Sequence, residues 1–380
     1  MRIFSISIGF VIIMAVLYFL PNETDVNMPV TEDIETGSKF YLEDFYADNA
    51  ELSEKVDKIY NQLSNRQKAA QMVVVAAGRL GKADTTVANL VQKEAIGGVL
   101  LLNGNKESFL NYVDKFNRLA KTAGHLPLLY SADAEPSLIN RKISDSAKVP
   151  KTADLRDEAH SAEIALTIAN ELTALGIRHN YAPVSDISPD NEAIRNRSYG
   201  NDPQRVINLS KAFIDATQKS QIAATVKHFP GHGMVKGDSH NKLVYIDGPL
   251  REIQVFDSLS KSGAISIMAG HIAVQNNTEY DTKGLPASCS PVIINGLLKE
   301  KLGFKGIVVT DAMNMGAVAS LTDAPLLAAK AGCDIILMPN NERKLISQIE
   351  AEMALNDDFG KQATESIKKI IRLKICLGLL

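Results

Sequence analysis

Eight short apolar runs alternate with amphipathic helical windows along most of the chain, and this alternation constrains the fold more than any other feature. The runs are Gln71–Ala77, Gly98–Leu102, Pro127–Asp133, Arg178–Val184, Ala223–His228, Ile265–Gly270, Gly306–Asp311 and Asp334–Met338. Runs that are apolar on both faces are typical of parallel strands covered by helices on both sides. Eight strand–helix units therefore predict an α/β fold of the closed (β/α)8 type, a TIM barrel. An open, doubly wound sheet is the alternative.

Helical windows fill the spaces between the runs. They include Lys106–Ala123, Asp157–Leu175, Pro203–Lys219, Arg251–Ser262 and Asp323–Ala331. A glycine follows each of four helical windows closely, at positions 124, 176, 263 and 332, where it favours helix termination. No Gly-x-Gly-x-x-Gly motif follows the first run, which argues against a dinucleotide-binding open sheet.

The N-terminus reads as a targeting segment. Arg2 precedes the apolar stretch Ile3–Leu20, a pattern typical of a secretory signal and near the lower length limit of a membrane span. We expect residues 1–21 to be a signal peptide or an N-terminal membrane anchor, with cleavage left open. Residues 22–50 are predicted to be a linker and residues 51–380 the barrel, exported to the periplasm or outside the cell.

Composition excludes several classes of protein. Apolar residues make up 45% of the chain and charged residues 22%, as in an ordinary soluble domain. The net charge of −3 lacks the basic surplus typical of nucleic-acid-binding proteins. Three widely spaced cysteines form neither a disulfide framework nor a metal-binding pair. We expect a monomer without a cofactor and without a nucleic-acid partner.

Ionisable side chains stand at one end of the predicted strands. Asp133 ends the third run, Lys227 and His228 the fifth, His271 follows the sixth, and Asp311 ends the seventh. The carboxyl ends of barrel strands and the loops after them form the active site in barrel enzymes. The pattern therefore predicts an enzyme.

A histidine-rich segment follows the fifth run. It reads Lys-His-Phe-Pro-Gly-His-Gly over residues 227–233, and Asp-Ser-His follows at residues 238–240. His228 and His232 have helical metal-ligand spacing, but the Pro-Gly pair between them opposes a helix, so we predict no metal. Asp238 could instead orient His240 for proton transfer. From spacing alone, an ordinary surface turn is the favoured interpretation.

Asp311 also has two interpretations. A carboxylate at the end of a buried strand is costly unless it is solvated, paired or used in chemistry. It can cap a following helix. It can also serve as a nucleophile at an anomeric carbon.

Together these pieces resemble glycoside hydrolase family 3. Lys227–Gly233 with Asp238–His240 is similar to the signature of the family, and the Asp-Ser-His triplet resembles its β-N-acetylglucosaminidase branch. Shorter matching pieces occur in the same order: Asn180–Pro183 with Asp186, Arg197–Gly200, Met268–His271, Pro286–Ser288 and Val309–Ala312. The resemblance covers roughly residues 52–380. It implies a TIM barrel that is a retaining exo-β-N-acetylglucosaminidase, releasing terminal N-acetylglucosamine from cell-wall or chitin-type fragments through a glycosyl-Asp intermediate.

The resemblance also implies residue roles. Asp311 would be the nucleophile, and His240, oriented by Asp238, the general acid and then the base. The implied substrate-binding residues are Asp133, Arg141, Arg197, Lys227, His228 and His271. A sugar-binding barrel without turnover and a phosphorylase on the same glycosides remain alternatives.

The chain departs from the family pattern in the loop after the third run. Pro136-Ser137-Leu138 replaces the usual Gly-Gly-Arg, so the loop shape and the reach of Arg141 are left open. The barrel is also expected to be a single domain, without the C-terminal α/β sandwich that supplies the acid/base of other family members. In that case the Asp-Ser-His triplet must supply it.

Overall fold

The computed structural model describes residues 39–94, 96–188, 191 and 193–380. The predicted targeting segment 1–21 and most of the predicted linker lie outside these residues. Within the part of the chain that is described, no helix is both long enough and apolar enough to cross a membrane.

The eight predicted runs form one parallel sheet. Its strands are β1 (Val73–Ala77), β2 (Gly98–Leu101), β3 (Leu129–Ala132), β4 (His179–Asn180), β5 (Ala223–Phe229), β7 (Ser266–Ala269), β9 (Ile307–Thr310) and β10 (Ile336–Leu337). The spatial order is β10-β1-β2-β3-β4-β5-β7-β9. A further bridge between Val309 and Ile335 joins β9 to the residue before β10, so the first and last strands meet. The predicted barrel is confirmed.

Helices surround the sheet, and each of the five predicted helical windows overlaps one of them. They are α1 (Ala50–Gln62), α2 (Asn65–Gln71), α3 (Asp84–Glu94), α4 (Lys106–Thr122), α5 (Ile139–Lys142), α6 (Glu158–Ala174), α7 (Pro203–Lys219), α8 (Ile253–Lys261), α9 (Ala324–Ala331), α10 (Glu342–Leu355) and α11 (Asp357–Cys376), with a π-helical segment at Val292–Lys301. Side chains of Asn105, Asp157 and Asp202 cap the N-termini of α4, α6 and α7. Such capping satisfies the free N–H groups of the first turn and defines where each helix begins.

Two strands were not predicted. β6 (Val244–Asp247) and β8 (Ile272–Gln275) pair in parallel outside the barrel. β6 is largely solvent-accessible and β8 follows β7 after only two residues, so neither shows the isolated apolar run of a buried strand. Val244 of β6 and Ile272 of β8 pack against Val235, which lies in the loop that carries the Asp-Ser-His triplet.

The folded domain begins earlier than residue 51. Phe40, Leu42 and Phe45 are buried in the main core. Arg372 on α11 donates hydrogen bonds to the backbone carbonyls of Asp44, Phe45 and Ala47. The predicted end of the linker at residue 50 is therefore too late, because three apolar side chains separated by polar residues do not form a recognisable run.

A lysine on α11 is buried in the interior of the domain. Lys374 is fully buried, and its Nζ donates to Gln71 Oε1 at 2.7 Å. Burial lowers the pKa of Lys374 to about 7, because a charged ammonium loses its hydration there.

Lys374 should make stability depend on pH. Between pH 7 and pH 10.5, the unfolded chain binds more protons at this site than the folded protein does. The free energy of unfolding should therefore rise with pH, by about 1.4 kcal/mol per pH unit, relative to Lys374→Met. Urea unfolding of both proteins at pH 7, 8 and 9 measures this difference, with exposed Lys361→Met on the same helix as the control. A difference that does not change with pH would contradict the prediction.

Candidate active site

The ionisable residues at the strand ends meet at the carboxyl end of the barrel, as the sequence predicts. Asp133 and Asp311 directly follow β3 and β9, Lys227 and His228 lie near the end of β5, and His271 follows β7. The backbone N–H of Asp311 donates to Ala269 O at 2.9 Å, so the ends of β7 and β9 are in register.

A network of charges occupies one side of this end. Lys227 Nζ lies 2.6 Å from Asp133 Oδ1 and 2.6 Å from Glu135 Oε1. Arg197 donates two hydrogen bonds to Glu135, from Nε to Oε2 at 2.9 Å and from Nη2 to Oε1 at 2.7 Å. Glu135 is completely buried, and Asp133 keeps part of its side chain exposed. The network therefore presents Asp133 to a substrate and uses Glu135 to hold the two cations.

The charges keep each other ionised. Burial raises the pKa of Asp133, but the positive charges of Lys227, Lys142 and Arg197 lower it far below its usual range. Burial lowers the pKa of Lys227, but the carboxylates of Asp133 and Glu135 raise it more. An anionic Asp133 with a free lone pair is a strong acceptor for sugar hydroxyls.

The loop after β3 brings Lys142 to this network and leaves Arg141 outside. Lys142 Nζ lies 3.3 Å from Asp133 Oδ2. Arg141 is exposed and makes no side-chain hydrogen bond or ion pair with the described part of the chain. Neighbouring residues on a helix point about 100° apart, so Lys142 and Arg141 leave α5 in different directions, and Lys142 is the one that pairs with Asp133. The substrate-binding role implied for Arg141 therefore stays a prediction.

Ser137 explains the shape of the unusual loop. Its Oγ donates to Asn196 O at 2.7 Å and accepts from Thr152 N at 2.9 Å. These bonds tie the Pro-Ser-Leu segment to the residue beside Arg197. A side chain therefore fastens the loop where the family pattern has glycine.

The carboxylate of Asp186, for which the family resemblance implied no role, holds His228. Asp186 Oδ2 accepts from His228 Nδ1 at 2.7 Å, and its Oδ1 accepts from the backbone N–H groups of His228 at 3.1 Å and His232 at 2.8 Å. Burial raises the pKa of Asp186, but His228 and His232 lower it more. Because an ionised carboxylate only accepts, Nδ1 of His228 carries a proton and Nε2 is left for a substrate.

Asp311 is poised as an anion. Its Oδ1 accepts from Ala312 N at 2.8 Å. Burial raises its pKa, but the charges of His228 and His271 and the N–H of Ala312 lower it below the ordinary value. An ionised carboxylate at this place suits nucleophilic attack.

His271 has another task than the one predicted. Its Nδ1 lies 2.8 Å from Ser288 Oγ and its Nε2 lies 3.0 Å from Ala312 O. The residue is fully buried, and burial lowers its pKa. Both ring nitrogens are therefore engaged by the protein. The structure does not support direct substrate binding by His271, which instead holds the backbone next to Asp311.

The Asp-Ser-His triplet forms the acid–base pair that spacing alone did not favour. His240 Nδ1 lies 2.6 Å from Asp238 Oδ1, and the His240 ring is 60% exposed. Burial raises the pKa of Asp238, but hydrogen bonds from the backbone and ring of His240 lower it more. Asp238 thus orients the ring and leaves Nε2 facing outward.

Backbone hydrogen bonds dock this triplet onto the loop that follows Asp311. Gly316 N donates to His240 O at 3.0 Å, and Ala317 N donates to Ser239 O at 3.3 Å. A Cβ at Gly316 would lie 2.3 Å from Asn241 O, so this close approach requires glycine. The docking joins the loop after β5 to the loop after β9.

His232 supports the same loop. Its Nε2 lies 2.9 Å from Ser239 Oγ.

Across the described ranges, no cluster of three or more His, Cys, Asp or Glu side chains is arranged to hold a metal ion.

The fold and this site define a class of protein. A closed (β/α)8 barrel whose carboxyl end combines an anionic Asp, a hydrogen-bonding charge network and an Asp–His pair is typical of barrel enzymes that act on polar substrates. Residues 64–373 match the model described as the glycosyl hydrolase family 3 N terminal domain. The chain belongs to this family.

Relatives agree with the assignment. The chain is 30% identical to beta-hexosaminidase A of Pseudoalteromonas piscicida, over 76% of this chain and 54% of that protein. It is 31% identical to a beta-hexosaminidase of Tolumonas auensis, over 70% of this chain and 82% of that protein. The chain therefore spans about half the length of the first relative and most of the second.

Solved structures share the barrel. A glycoside hydrolase family 3 beta-N-acetylglucosaminidase from Paenibacillus sp. superposes with a TM-score of 0.77 at 28% identity, over 83% of this chain and 63% of that one. A beta-glucoside phosphorylase superposes with the same TM-score at 22% identity, over 87% of this chain and 62% of that one. The second likeness is one of fold alone.

Proposed function

We propose that the protein is a retaining exo-β-N-acetylglucosaminidase that releases terminal β-linked N-acetylglucosamine by double displacement. The observation that carries the proposal is the docking of the Asp238–His240 pair onto residues 316–317, just after the anionic Asp311. The names of the curated relatives support the substrate class. Export, with residues 1–21 as signal or anchor, and cell-wall or chitin-type fragments as substrates are part of the proposal.

The first chemical step would be glycosylation. A carboxylate oxygen of Asp311 attacks the anomeric carbon while the glycosidic bond breaks. The imidazolium of His240 gives its Nε2 proton to the departing oxygen, and Asp238 stabilises the positive ring before transfer. The products are a glycosyl-Asp311 ester, neutral His240 and the free aglycone.

The second step would be hydrolysis of the ester. Neutral His240 accepts a proton at Nε2 from a water molecule, whose oxygen attacks the anomeric carbon. The Asp311 carboxylate leaves, and two inversions restore the original anomeric configuration. His240 ends protonated, ready for the next turnover.

The charge network would hold the terminal sugar. Asp133 accepts from hydroxyls, while Lys227 and the free nitrogen of His228 complete the hydrogen bonds. Three of the five N–H groups of Arg197 are already directed at Glu135 and Ala193. Arg197 therefore contributes by holding Glu135 as well as by direct contact.

An assay with an aryl N-acetyl-β-glucosaminide tests the proposal and its two alternatives. We expect aglycone release at the same rate with and without inorganic phosphate, and N-acetylglucosamine as the product, initially as the β anomer. N-acetylglucosamine 1-phosphate as the product would identify a phosphorylase. Folded protein that binds N-acetylglucosamine but releases no aglycone would identify a sugar-binding barrel.

A further inference from the structure

Glu252, the residue before α8, is a buried carboxyl group without a role in the reaction described above. Its Oε2 accepts from Ile187 N at 2.6 Å, and its Oε1 accepts from Met234 N at 3.0 Å. These N–H groups belong to different loops. Ile187 follows the carboxylate that holds His228, and Met234 lies between that histidine and the acid–base pair. One side chain therefore joins two loops of the active site.

The loop after β5 packs closely against Glu252 and Ile187. Gly231 has a φ of 126°, and a Cβ there would lie 2.6 Å from Glu252 Cβ and 2.8 Å from Glu252 Cδ. A Cβ at Gly233 would lie 2.1 Å from Ile187 O. Both glycines are thus needed for the loop to reach the carboxyl group.

A second side chain holds the same loop by its carbonyl groups. Asn191 Nδ2 donates to His232 O at 3.0 Å and to Val235 O at 2.7 Å. Asn191 therefore holds carbonyls, and Glu252 holds N–H groups, along residues 232–235. This segment, called here the loop base, is fixed by hydrogen bonds to side chains from two other elements.

The acid–base pair extends from the loop base. Asp238 lies only three residues beyond Val235, and the His240 ring is 60% exposed. Its main contacts are those to Asp238 and the backbone bonds to residues 316–317. A shift of the loop base is therefore transmitted to the position of His240 Nε2.

The pKa of Glu252 reflects its burial and the groups around it. Burial and the nearby negative charge of Asp186 raise the pKa of Glu252 to about 8, although N–H groups of Ile187, Met234 and Gly233 lower it. Both carboxyl oxygens accept backbone N–H groups. Glu252→Gln keeps the volume of the side chain and replaces one acceptor oxygen by an NH₂ group that cannot accept.

We propose that Glu252 is a positioning residue, which holds the loop base so that His240 reaches the glycosidic oxygen. The proposal rests on the acid/base role proposed for His240. In Glu252→Gln, one of the two N–H groups faces a donor, and the loop base is expected to move away.

The test compares leaving groups. For Glu252→Gln we expect kcat/KM on chitobiose, whose leaving group needs protonation, to fall by at least about tenfold. On a dinitrophenyl N-acetyl-β-glucosaminide, whose leaving group needs none, kcat/KM should change little. The inhibition constant of N-acetylglucosamine should stay the same, since the charge network is untouched. Exposed Glu279→Gln is the matched control and should resemble the wild type on both substrates.

Two comparisons separate this proposal from the one it rests on. If His240→Ala itself shows no preference for the activated leaving group, the acid/base assignment fails. If His240→Ala shows that preference and folded Glu252→Gln does not, the positioning role of Glu252 is overturned. Met234→Pro, which removes the N–H that donates to Oε1 and changes an exposed side chain, carries the same test if Glu252→Gln does not fold. Equal losses on both substrates in that variant would also overturn the proposal.

Discussion

Asp311→Asn is expected to lower kcat on an aryl N-acetyl-β-glucosaminide by at least about 10⁴-fold. The amide has the size of the carboxylate but no negative charge, so it cannot form the glycosyl ester or stabilise positive charge at the anomeric carbon. Burial raises the pKa of Asp311, but His228, His271 and the N–H of Ala312 lower it below its ordinary value, so we expect the wild-type group to be ionised at neutral pH. The variant therefore loses both the nucleophile and the charge.

Asp215→Asn on the exposed face of α7 is the matched control, because its carboxylate pairs with Lys211 on the same helix. It should keep wild-type activity. Intact mass must show that the new amide has not been hydrolysed back to the acid. Activity within about tenfold of the wild type, in a protein whose amide is intact, would remove Asp311 from the mechanism.

His240→Ala is expected to separate substrates by their leaving groups. On chitobiose, kcat/KM should fall by about 10²- to 10⁴-fold, the usual contribution of a general acid. On a dinitrophenyl glycoside it should fall far less, because that aglycone departs as a stable anion. Steady-state kinetics on the two substrates measures the difference.

Hydrolysis of the intermediate gives a second measurement on the same variant. Without a base to activate water, the glycosyl ester should accumulate on Asp311, as mass spectrometry of the quenched protein would show. His160→Ala on α6, whose ring lies against the backbone of Arg156, is the control. Equal losses on both substrates, with no accumulated ester, would argue against His240 as the acid/base.

Much of the fold could be predicted because each element leaves a local pattern. A strand covered on both faces must be apolar throughout, and helices need caps and amphipathic faces. β6 and β8 were missed because they are paired outside the barrel and lack such a run. The stretch around Phe40 was missed because its three buried side chains alternate with polar residues.

The site was predicted in outline for a similar reason. Parallel strands end at the same edge, so Asp133, Lys227, His228 and Asp311 had to come together once the barrel closed. The pairing within the Asp-Ser-His triplet is local, and motif resemblance favoured it where spacing did not. The hydrogen bond between His240 Nδ1 and Asp238 Oδ1, 2.6 Å long, could therefore be predicted from the sequence.

Other assignments depended on contacts that the motifs do not encode. Arg141 and Lys142 are neighbours of like charge, and only the orientation of α5 decides which one reaches Asp133. His271 follows a strand end as an active-site residue would, yet Ser288 and Ala312 occupy both of its ring nitrogens. No pattern along the chain distinguishes these cases.

The sequence by itself determined the barrel, the end of it that carries chemistry, and the residue types available there. These follow from hydrophobic patterning and from the common direction of the strands. Only the tertiary structure decided which side chains face the pocket and which hold the others in place, as Asp186 holds His228 and Glu252 holds Met234. Those choices depend on side-chain directions between loops far apart in the chain, and closure of the barrel brings these loops within hydrogen-bonding distance.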